Sequence, residues 1–451
     1  MKIIIVGAGK VGELLCNDLS NEGNDITLIE TDSKILDKVL SYYDIMGIVG
    51  NGTDCDTLKE AYVDSADIFL AVTQSDEINI ISSIMAKKLG AKYTIARVRN
   101  PLYFSQMNFM SESLGIDRLL NPEAEAAFFI SKNLEFPNAL NVETFAKNKV
   151  TMVEFLVQKE SYIDGIKLKD FKHNHFNNIL VCIVERGQEV FIPTGNFILK
   201  AGDKIYITGY PDDIQEFSKS LGNNDEKIKS VMIIGGGKIT HYLIQLLLEK
   251  KINVKVIEND AKKARVLSEI FEDATIVHGD GTDNELLEEE NFRNYDALIS
   301  LTGIDEENII LSLYANKVGI KKTITKINGI SLFNVLEIVG LQSIITPKKI
   351  VADHIVKIVR SLISSQEENI ETLYRISENK VEAIEFKVPK TSLITNVPLK
   401  ELNIKENLLI LYIIRENSVI FPKGDDIILP EDRIIIITTE KYLNDVNKIL
   451  K

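Results

Sequence analysis

Short apolar runs rich in Ile and Val alternate along the chain with longer stretches in which apolar residues recur at helical spacing. The runs at 2–6, 26–30, 46–49, 68–73, 94–98 and 117–120 predict strands. The stretches near 10–21, 33–42, 55–62, 77–89 and 101–113 predict helices. Strand–helix alternation at this spacing implies a parallel sheet covered by helices on both faces. The pattern starts again over 230–346. Each sheet is followed by a proline and a helix, Pro122 to about Leu134 and Pro347 to about Leu362. In the second of these, Val351, Ile355, Ile358, Val359 and Leu362 form one stripe. That stripe has no evident partner in its own sheet, so it is expected to pack on the other unit or on another chain. The stretches 150–220 and 380–450 read as short strands with one brief helix each. The polar stretches 138–149, 222–229 and 365–379 read as linkers.

The restart is a true repeat. Lys2-Ile3-Ile4-Ile5-Val6-Gly7-Ala8-Gly9-Lys10 returns as Ser230-Val231-Met232-Ile233-Ile234-Gly235-Gly236-Gly237-Lys238. Glu30 and Glu258 close the second apolar run of each unit, with the same spacing of 228 residues as Gly7 and Gly235. Gly50-Asn51-Gly52-Thr53-Asp54 returns as Gly279-Asp280-Gly281-Thr282-Asp283, and Asp76-Glu77-Ile78-Asn79 as Asp305-Glu306-Glu307-Asn308. Gly202-Asp203-Lys204 is matched by Glu431-Asp432-Arg433. The expected fold is α/β: a tandem duplication of a Rossmann-like, doubly wound parallel sheet, each copy followed by a small α+β lobe. The expected domains are 1–137, 138–221, 229–364 and 365–451.

Composition narrows the function. A net charge of −14 across 451 residues argues against a nucleic-acid partner, which needs a Lys/Arg excess. No apolar run has the roughly 18 residues of a membrane span, and Met1 leads directly into a strand, so a cytoplasmic protein is expected. Cys16, Cys55 and Cys182 are scattered, odd in number and without a Cys-x-x-Cys, so they are expected as buried or half-buried filler in a reducing compartment.

The candidate chemistry lies in Gly7, Ala8, Gly9, Lys10, Val11 and Gly12, a Gly-x-Gly-x-x-Gly loop between a strand and a helix. The first glycine permits the tight turn, the second lets a phosphate approach the backbone, and the third lets helix and strand pack closely. The helix start offers free N–H groups and a positive dipole end. Glu30 stands where a carboxylate hydrogen-bonds ribose hydroxyls and repels a 2′-phosphate, which favours NAD(H) or an adenosine nucleotide over NADP(H). Thr73 and Gln74 are expected beside the adenosine, Val98 beside the base, Arg97 at the same strand end, and Asn51 at the ribose. In the second unit Gly235, Gly237, Lys238, Ile239, Glu258 and Asp280 are the counterparts. Thr240 replaces the third glycine there, and its branched side chain is expected to push helix and strand apart. The plainer alternative is that the glycines only shape a turn.

Little points to catalysis. A dehydrogenase needs an acid or base beside the nicotinamide, yet His173, His175, His241, His278 and His354 occupy no recognisable catalytic setting. His173 and His175 in one polar loop suggest a metal, but no third ligand is evident. His241 is expected as an exposed helix residue. No nucleophile elbow, Cys–His pair or Walker lysine occurs.

Taken together, Lys-Ile-Ile-Ile-Val-Gly-Ala-Gly-Lys-Val-Gly, Gly-Asn-Gly-Thr-Asp, Ala-Val-Thr-Gln-Ser-Asp-Glu-Ile-Asn and Ile-Ala-Arg-Val-Arg-Asn, with their recurrence, resemble the TrkA family, over essentially all 451 residues. These are the cytoplasmic regulatory subunits of Trk-type bacterial and archaeal potassium uptake systems. The resemblance implies two regulator-of-potassium-conductance units, a membrane potassium-translocating partner, a homo-oligomer in the form of a tetrameric ring, and a location peripheral to the inner face of the cell membrane. It implies gating by NAD(H) and by ATP or ADP, which are expected to compete for the first loop, without catalysis. An NAD-dependent oxidoreductase and a nucleotide-sensing regulator of another cation transporter stay open. Potassium enters through the resemblance alone.

Overall fold

The computed structural model describes all residues except 105, 146–149, 172–178, 222–226, 330–335, 337–340, 342, 365–369, 377–379, 417, 441–442 and 444. The chain forms two compact units, neither of them continuous in sequence. One comprises Met1–Ser131 and Ile228–Val356, the other Lys132–Lys227 and Lys357–Lys451. Each unit thus joins like with like: the two glycine-loop lobes in one, the two small lobes in the other.

In the first glycine-loop lobe the strands are β1 (Lys2–Val6), β2 (Asp25–Glu30), β3 (Met46–Val49), β4 (Ile68–Ala71), β5 (Tyr93–Arg97) and β6 (Arg118–Leu120). They pair in parallel in the order β3-β2-β1-β4-β5-β6, with Lys2 to Val6 opposite Asp25 to Ile29. β1 and β4 read as unbroken apolar runs because a central parallel strand is buried on both faces: Ile3–Val6 and Ile68–Ala71 are all buried. Helices α1 (Lys10–Ser20), α2 (Ser33–Leu40), α3 (Cys55–Glu60), α4 (Asp76–Leu89), α5 (Pro101–Phe104), α6 (Met107–Leu114) and α7 (Pro122–Asn133) connect or follow them. The expected helix 101–113 is therefore two.

The first small lobe has β7 (Asn141–Phe145), β8 (Val150–Leu156), β9 (Ile179–Arg186), β10 (Glu189–Phe191) and β11 (Lys204–Gly209), with α8 (Leu168–Phe171) and α9 (Pro211–Leu221). The order β10-β9-β11-β8-β7 is antiparallel. The second glycine-loop lobe has β12 (Ser230–Ile234), β13 (Asn253–Glu258), β14 (Thr275–His278), β15 (Ala297–Ser300), β16 (Lys322–Lys326) and β17 (Ile344–Ile345) in the parallel order β14-β13-β12-β15-β16-β17, with α10 (Lys238–Glu249), α11 (Ala261–Ile270), α12 (Asn284–Glu289), α13 (Asp305–Lys317) and the long helix Pro347–Ser364. In the second small lobe β18 (Ile370–Ile376), β19 (Val381–Lys387), β20 (Leu408–Arg415), β21 (Ser418–Ile420) and β22 (Arg433–Thr438) repeat the antiparallel topology of the first.

Each small lobe has its own apolar core, around Phe155 and Phe217 in one and Phe386 and Ile436 in the other. A third cluster joins them, with Cys182, Ile183 and Tyr206 packed with Leu411, Tyr412, Ile435 and Ile437. The repeated Asp-Lys/Arg motif has a structural task in both lobes. Asp203, 1% exposed, takes a bidentate pair from Arg186 at 2.7 and 2.7 Å, and Asp432, 3% exposed, takes one from Arg415 at 3.0 and 2.8 Å.

Several expectations change. The stretches 138–149 and 365–379 are not plain linkers, because each supplies an edge strand, β7 or β18. Val142 and Phe145 of β7 are buried three residues apart in different cores, so no period-2 alternation marks this strand in the sequence. Cys16 and Cys182 are buried, but Cys55 is exposed at the start of α3. The stripe on Pro347–Ser364 is largely covered within the chain: Val351, Ile355 and Val359 are each at most 1% exposed, while Ile358 and Leu362 are partly exposed. Among the described residues no helix is long and apolar enough to cross a membrane.

Candidate functional site

The two outer glycines of the first loop are held by the protein itself. Gly7 has φ +103°, a left-handed conformation, and a Cβ there would lie 3.0 Å from Thr73 Cα. A Cβ on Gly12 would lie 2.0 Å from the Gly7 carbonyl oxygen. Gly9 differs from both. Its φ of −67° and ψ of 179° suit any residue, and a Cβ on it would meet no atom within 4 Å. Neither backbone conformation nor packing requires glycine at this position, while a ligand passing close to the main chain would. Gly9 is the N-cap of α1 without a side-chain cap. The neighbouring α2, α3 and α4 are capped by Asp32, Asp54 and Ser75. The first amides of α1 thus lack the side-chain cap that the neighbouring helices have, which suits an anion.

Glu30 ties this loop to the end of β2. Its Oε2 accepts from Ala8 N at 2.7 Å, and its Oε1 accepts from Thr31 N at 2.7 Å, Thr31 Oγ1 at 2.9 Å and Asp32 N at 3.1 Å. Burial pushes its pKa up, but the amides of Ala8, Asp32 and Thr31 outweigh that and hold it below the ordinary 4.5. A carboxylate depressed by folding contributes stability that is complete above its unfolded value and is lost as pH falls through the folded one. The stability difference between the wild-type chain and Glu30→Gln, read from urea titrations, should shrink as pH is lowered from about 5 to about 3. A difference that stays flat over that window would mean the amides do not select the ionised form.

The second loop keeps the geometry. Gly235 has φ +102°, Gly237 is an uncapped N-cap at φ −76° and ψ −173°, and a Cβ on Gly237 again meets nothing within 4 Å. Gly236 N donates to Glu258 Oε2, and Asp260 N donates to Oε1 at 2.7 Å. Contrary to expectation, Thr240 does not disrupt the turn. It is fully buried, and its hydroxyl donates to the Gly235 carbonyl oxygen, which turns a clash into a hydrogen bond.

The other expected contacts are placed unevenly. Val98 is fully buried among Ile80, Ala96, Ile116 and Leu119, so its side chain does not reach a base. Asn51 Oδ1 accepts from Thr53 N and Oγ1 at 3.0 Å each, and Asp280 Oδ1 accepts from Thr282 N at 2.9 Å and Oγ1 at 2.7 Å. Both cap their own turns. Gln74 is exposed, and its carbonyl accepts from Arg99. Thr73 is held by Asn79, a fully buried residue that the sequence reading passed over. Asn79 accepts from Thr73 N at 2.8 Å and donates to the Thr73 and Arg97 carbonyls at 3.1 and 2.9 Å, clipping the ends of β4 and β5 together. Asn308 does the same for Thr302 and Lys326. The only signal was the repeated Asp-x-x-Asn, whose Asp76 accepts from the amides of Arg99 and Asn100 at 2.9 Å each.

The sequence also concealed a cavity of about 260 Å³ at the seam of the two glycine-loop lobes. Val11, Arg97, Arg99 and Glu123 line it from the first lobe, and Gly237–Thr240, Lys326 and Lys348 from the second. The seam is fixed nearby by Tyr242, which accepts from Asn121 Nδ2 at 2.8 Å and donates to the Arg99 carbonyl at 3.2 Å. Burial lowers the pKa of Arg97, Lys326 and Lys348 and raises that of Glu123. His241, expected to be exposed, is half-buried with its ring 5.0 Å from that of Phe271, and burial lowers its pKa. His173 and His175 lie outside the described residues; among those described, no cluster of His, Cys, Asp or Glu fits a metal.

This chain is similar throughout to known proteins. Profiles of the TrkA-N domain match residues 3–122 and 231–347, and profiles of the TrkA-C domain match 152–222 and 383–451. The Trk system potassium uptake protein TrkA homolog of Archaeoglobus fulgidus is 32% identical over the whole of both chains. The Trk system potassium uptake protein TrkA of Haemophilus influenzae is 30% identical over 98% of this chain and 96% of its own. Among solved structures, the GsuK RCK domain superposes with a TM-score of 0.63 at 16% identity, covering 98% of this chain and 92% of that one, and the GsuK channel bound to NAD gives 0.63 at 15% identity, covering 98% and 77%.

Proposed function

We propose that this chain, which belongs to the TrkA family, is the regulatory subunit of a potassium uptake system and gates a separate membrane potassium-translocating subunit by binding NAD(H) and ATP or ADP. The observation that carries the nucleotide reading is Gly9: a glycine that neither its conformation nor its neighbours require, at an uncapped helix start, with Glu30 fixed beside it. Potassium comes from the relatives' names, which are those of Trk system potassium uptake proteins, and the membrane partner is part of our proposal. The chain acts from the cytoplasmic side as a homo-oligomer, and it acts by binding, without turnover.

Each state of such a regulator must bind its ligands differently, since equal affinity shifts nothing. Glu30→Ala should cost about 1.5–3 kcal/mol in nucleotide binding, on the order of ten- to a hundredfold in Kd by calorimetry. The functional test is potassium flux through liposomes carrying the membrane subunit, with this chain and each nucleotide titrated in turn. Flux should respond to NADH and to ATP in different ways, and Gly9→Val should blunt the NADH response. Flux that ignores the chain and every nucleotide would sink the reading. Stoichiometric oxidation of NADH during flux would put an oxidoreductase in its place.

A further inference from the structure

Just past β16 the chain runs through Asn328-Gly329, and both residues are held on one carboxylate. Asp305, the first residue of α13, accepts from Asn328 N at 3.0 Å with Oδ1 and at 2.9 Å with Oδ2. Its Oδ1 also accepts from Asn328 Nδ2 at 2.9 Å, and its Oδ2 from Gly329 N at 3.0 Å. The first lobe has the same clamp on Asp76, which accepts from the amides of Arg99 and Asn100 and from the Arg99 guanidinium. The clamp itself therefore belongs to the fold: it ties the loop after the fifth strand of each lobe to the helix before that strand. What fills it differs. The first lobe places a guanidinium there, and the second places a side-chain amide directly before a glycine.

The clamp does not call for that pair. Gly329 is not in the left-handed region, and among the described residues a Cβ on it would meet only Asp305 Oδ2, at 3.6 Å, an ordinary contact. Glycine here leaves its own nitrogen unshielded by a side chain. The chain has a second Asn-Gly, at Asn51-Gly52, where both residues have local reasons. Asn51 Oδ1 accepts from Thr53 N and Oγ1, and a Cβ on Gly52 would lie 2.4 Å from Val6 Cγ1.

We propose that Asn328 is a self-modification site, at which Asp305 promotes loss of the side-chain amide nitrogen as ammonia. Asp305 Oδ2 takes the proton from Gly329 N as that nitrogen bonds to Asn328 Cγ. The bond from Cγ to Nδ2 then breaks, and the proton passes from Asp305 to Nδ2, which leaves as ammonia. The product is a cyclic imide joining 328 and 329. Water adds to either of its carbonyls and opens the ring, to aspartate or to isoaspartate at 328. One water is consumed and one ammonia is released, with no change of oxidation state. A carboxylate 3.0 Å from the attacking nitrogen and 2.9 Å from the leaving one is within the reach that general acid–base catalysis needs at both atoms. The carboxylate formed at 328 then stands beside that of Asp305, and like charges so close repel, which opens the clamp. Asn328 and Lys326 both line the seam of the glycine-loop lobes. The change is one-way and adds a negative charge there, so the state of residue 328 reports the age of the chain.

Peptide mass analysis of the full chain, aged at neutral pH either folded or in urea, tests it. The signature is replacement of the amide NH2 by OH, with isoaspartate separated from aspartate by chromatography. Asn328 should react at least about tenfold faster in the folded chain than in the unfolded one, a small part of the roughly 10²–10⁴-fold that a positioned acid–base group supplies. Asn51, restrained in its own turn, should react more slowly folded than unfolded. Asp305→Asn keeps an acceptor for the amides and removes the base. It should bring Asn328 down to the unfolded rate or below it, while a slow Asn51 shows that the unit is still folded. If the carboxylate only steadies the loop, Asp305→Asn will speed Asn328 instead, and the proposal is overturned. A wild-type chain in which Asn328 reacts no faster folded than in urea overturns it as well. Should the variant fail to fold, that comparison within the wild type decides alone.

Discussion

Gly12→Val should lower the unfolding free energy of the glycine-loop unit by about 3 kcal/mol, near the upper end of what overpacking costs. The new Cβ would stand 2.0 Å from the Gly7 carbonyl oxygen, which is backbone and cannot swing aside. Relief requires α1 to move off β1, and Leu15, Cys16 and Leu19 of α1 are each fully buried. The second lobe shows the way out: Thr240 lives at this position because its hydroxyl satisfies the Gly235 carbonyl. Gly12→Thr should therefore cost about 1 kcal/mol less than Gly12→Val, the worth of one hydrogen bond. Gly9→Val should cost no more than about 1 kcal/mol, the loss of a good N-cap residue, while abolishing ligand binding at that loop. Urea midpoints for the three variants give the order directly. Equal losses for Gly9→Val and Gly12→Val would mean that both glycines serve the turn alone.

Asn79→Leu should cost about 3 kcal/mol, because a side chain of similar size would leave the part-buried Thr73 amide and Arg97 carbonyl without their partner. The Thr73 carbonyl would keep its bond from Arg97 Nη2. The damage extends beyond stability, since the Asn79 clip fixes the strand end that carries Arg97 into the cavity. Asn308→Leu should behave alike, because Asn308 makes the same bonds to Thr302 and Lys326. A neutral Asn79→Leu, by thermal melt and by ATP affinity, would show that water replaces the clip.

Local features were legible in the sequence and spatial ones were not. Strand starts at Lys2, Met46 and Ile68, the turn at Gly7 and the acid at Glu30 follow from short-range pattern, and the structure has them where the pattern put them. Val98 looked like a cleft residue because it follows a strand, but strand ends still point alternate side chains into the core. Edge strands β7 and β18 hid behind polar composition. Arg99, Glu123, Lys326 and Lys348 drew no attention as a set because they come together only once the two lobes face each other. No periodicity within one lobe reports that.

Like-with-like pairing inside a single chain has a consequence for how such a protein can diverge. Were the lobes on separate identical chains, every substitution at the seam would appear twice, once on each side of the axis. Here each side is encoded independently: Glu123 faces the cavity from after Pro122, and Lys348 from after Pro347. Tethering also makes the pairing intramolecular, with an effective concentration on the order of millimolar, so it does not depend on how much protein the cell makes. One gene can thus tune one half of a matched pair at a time, and dilution does not separate the halves.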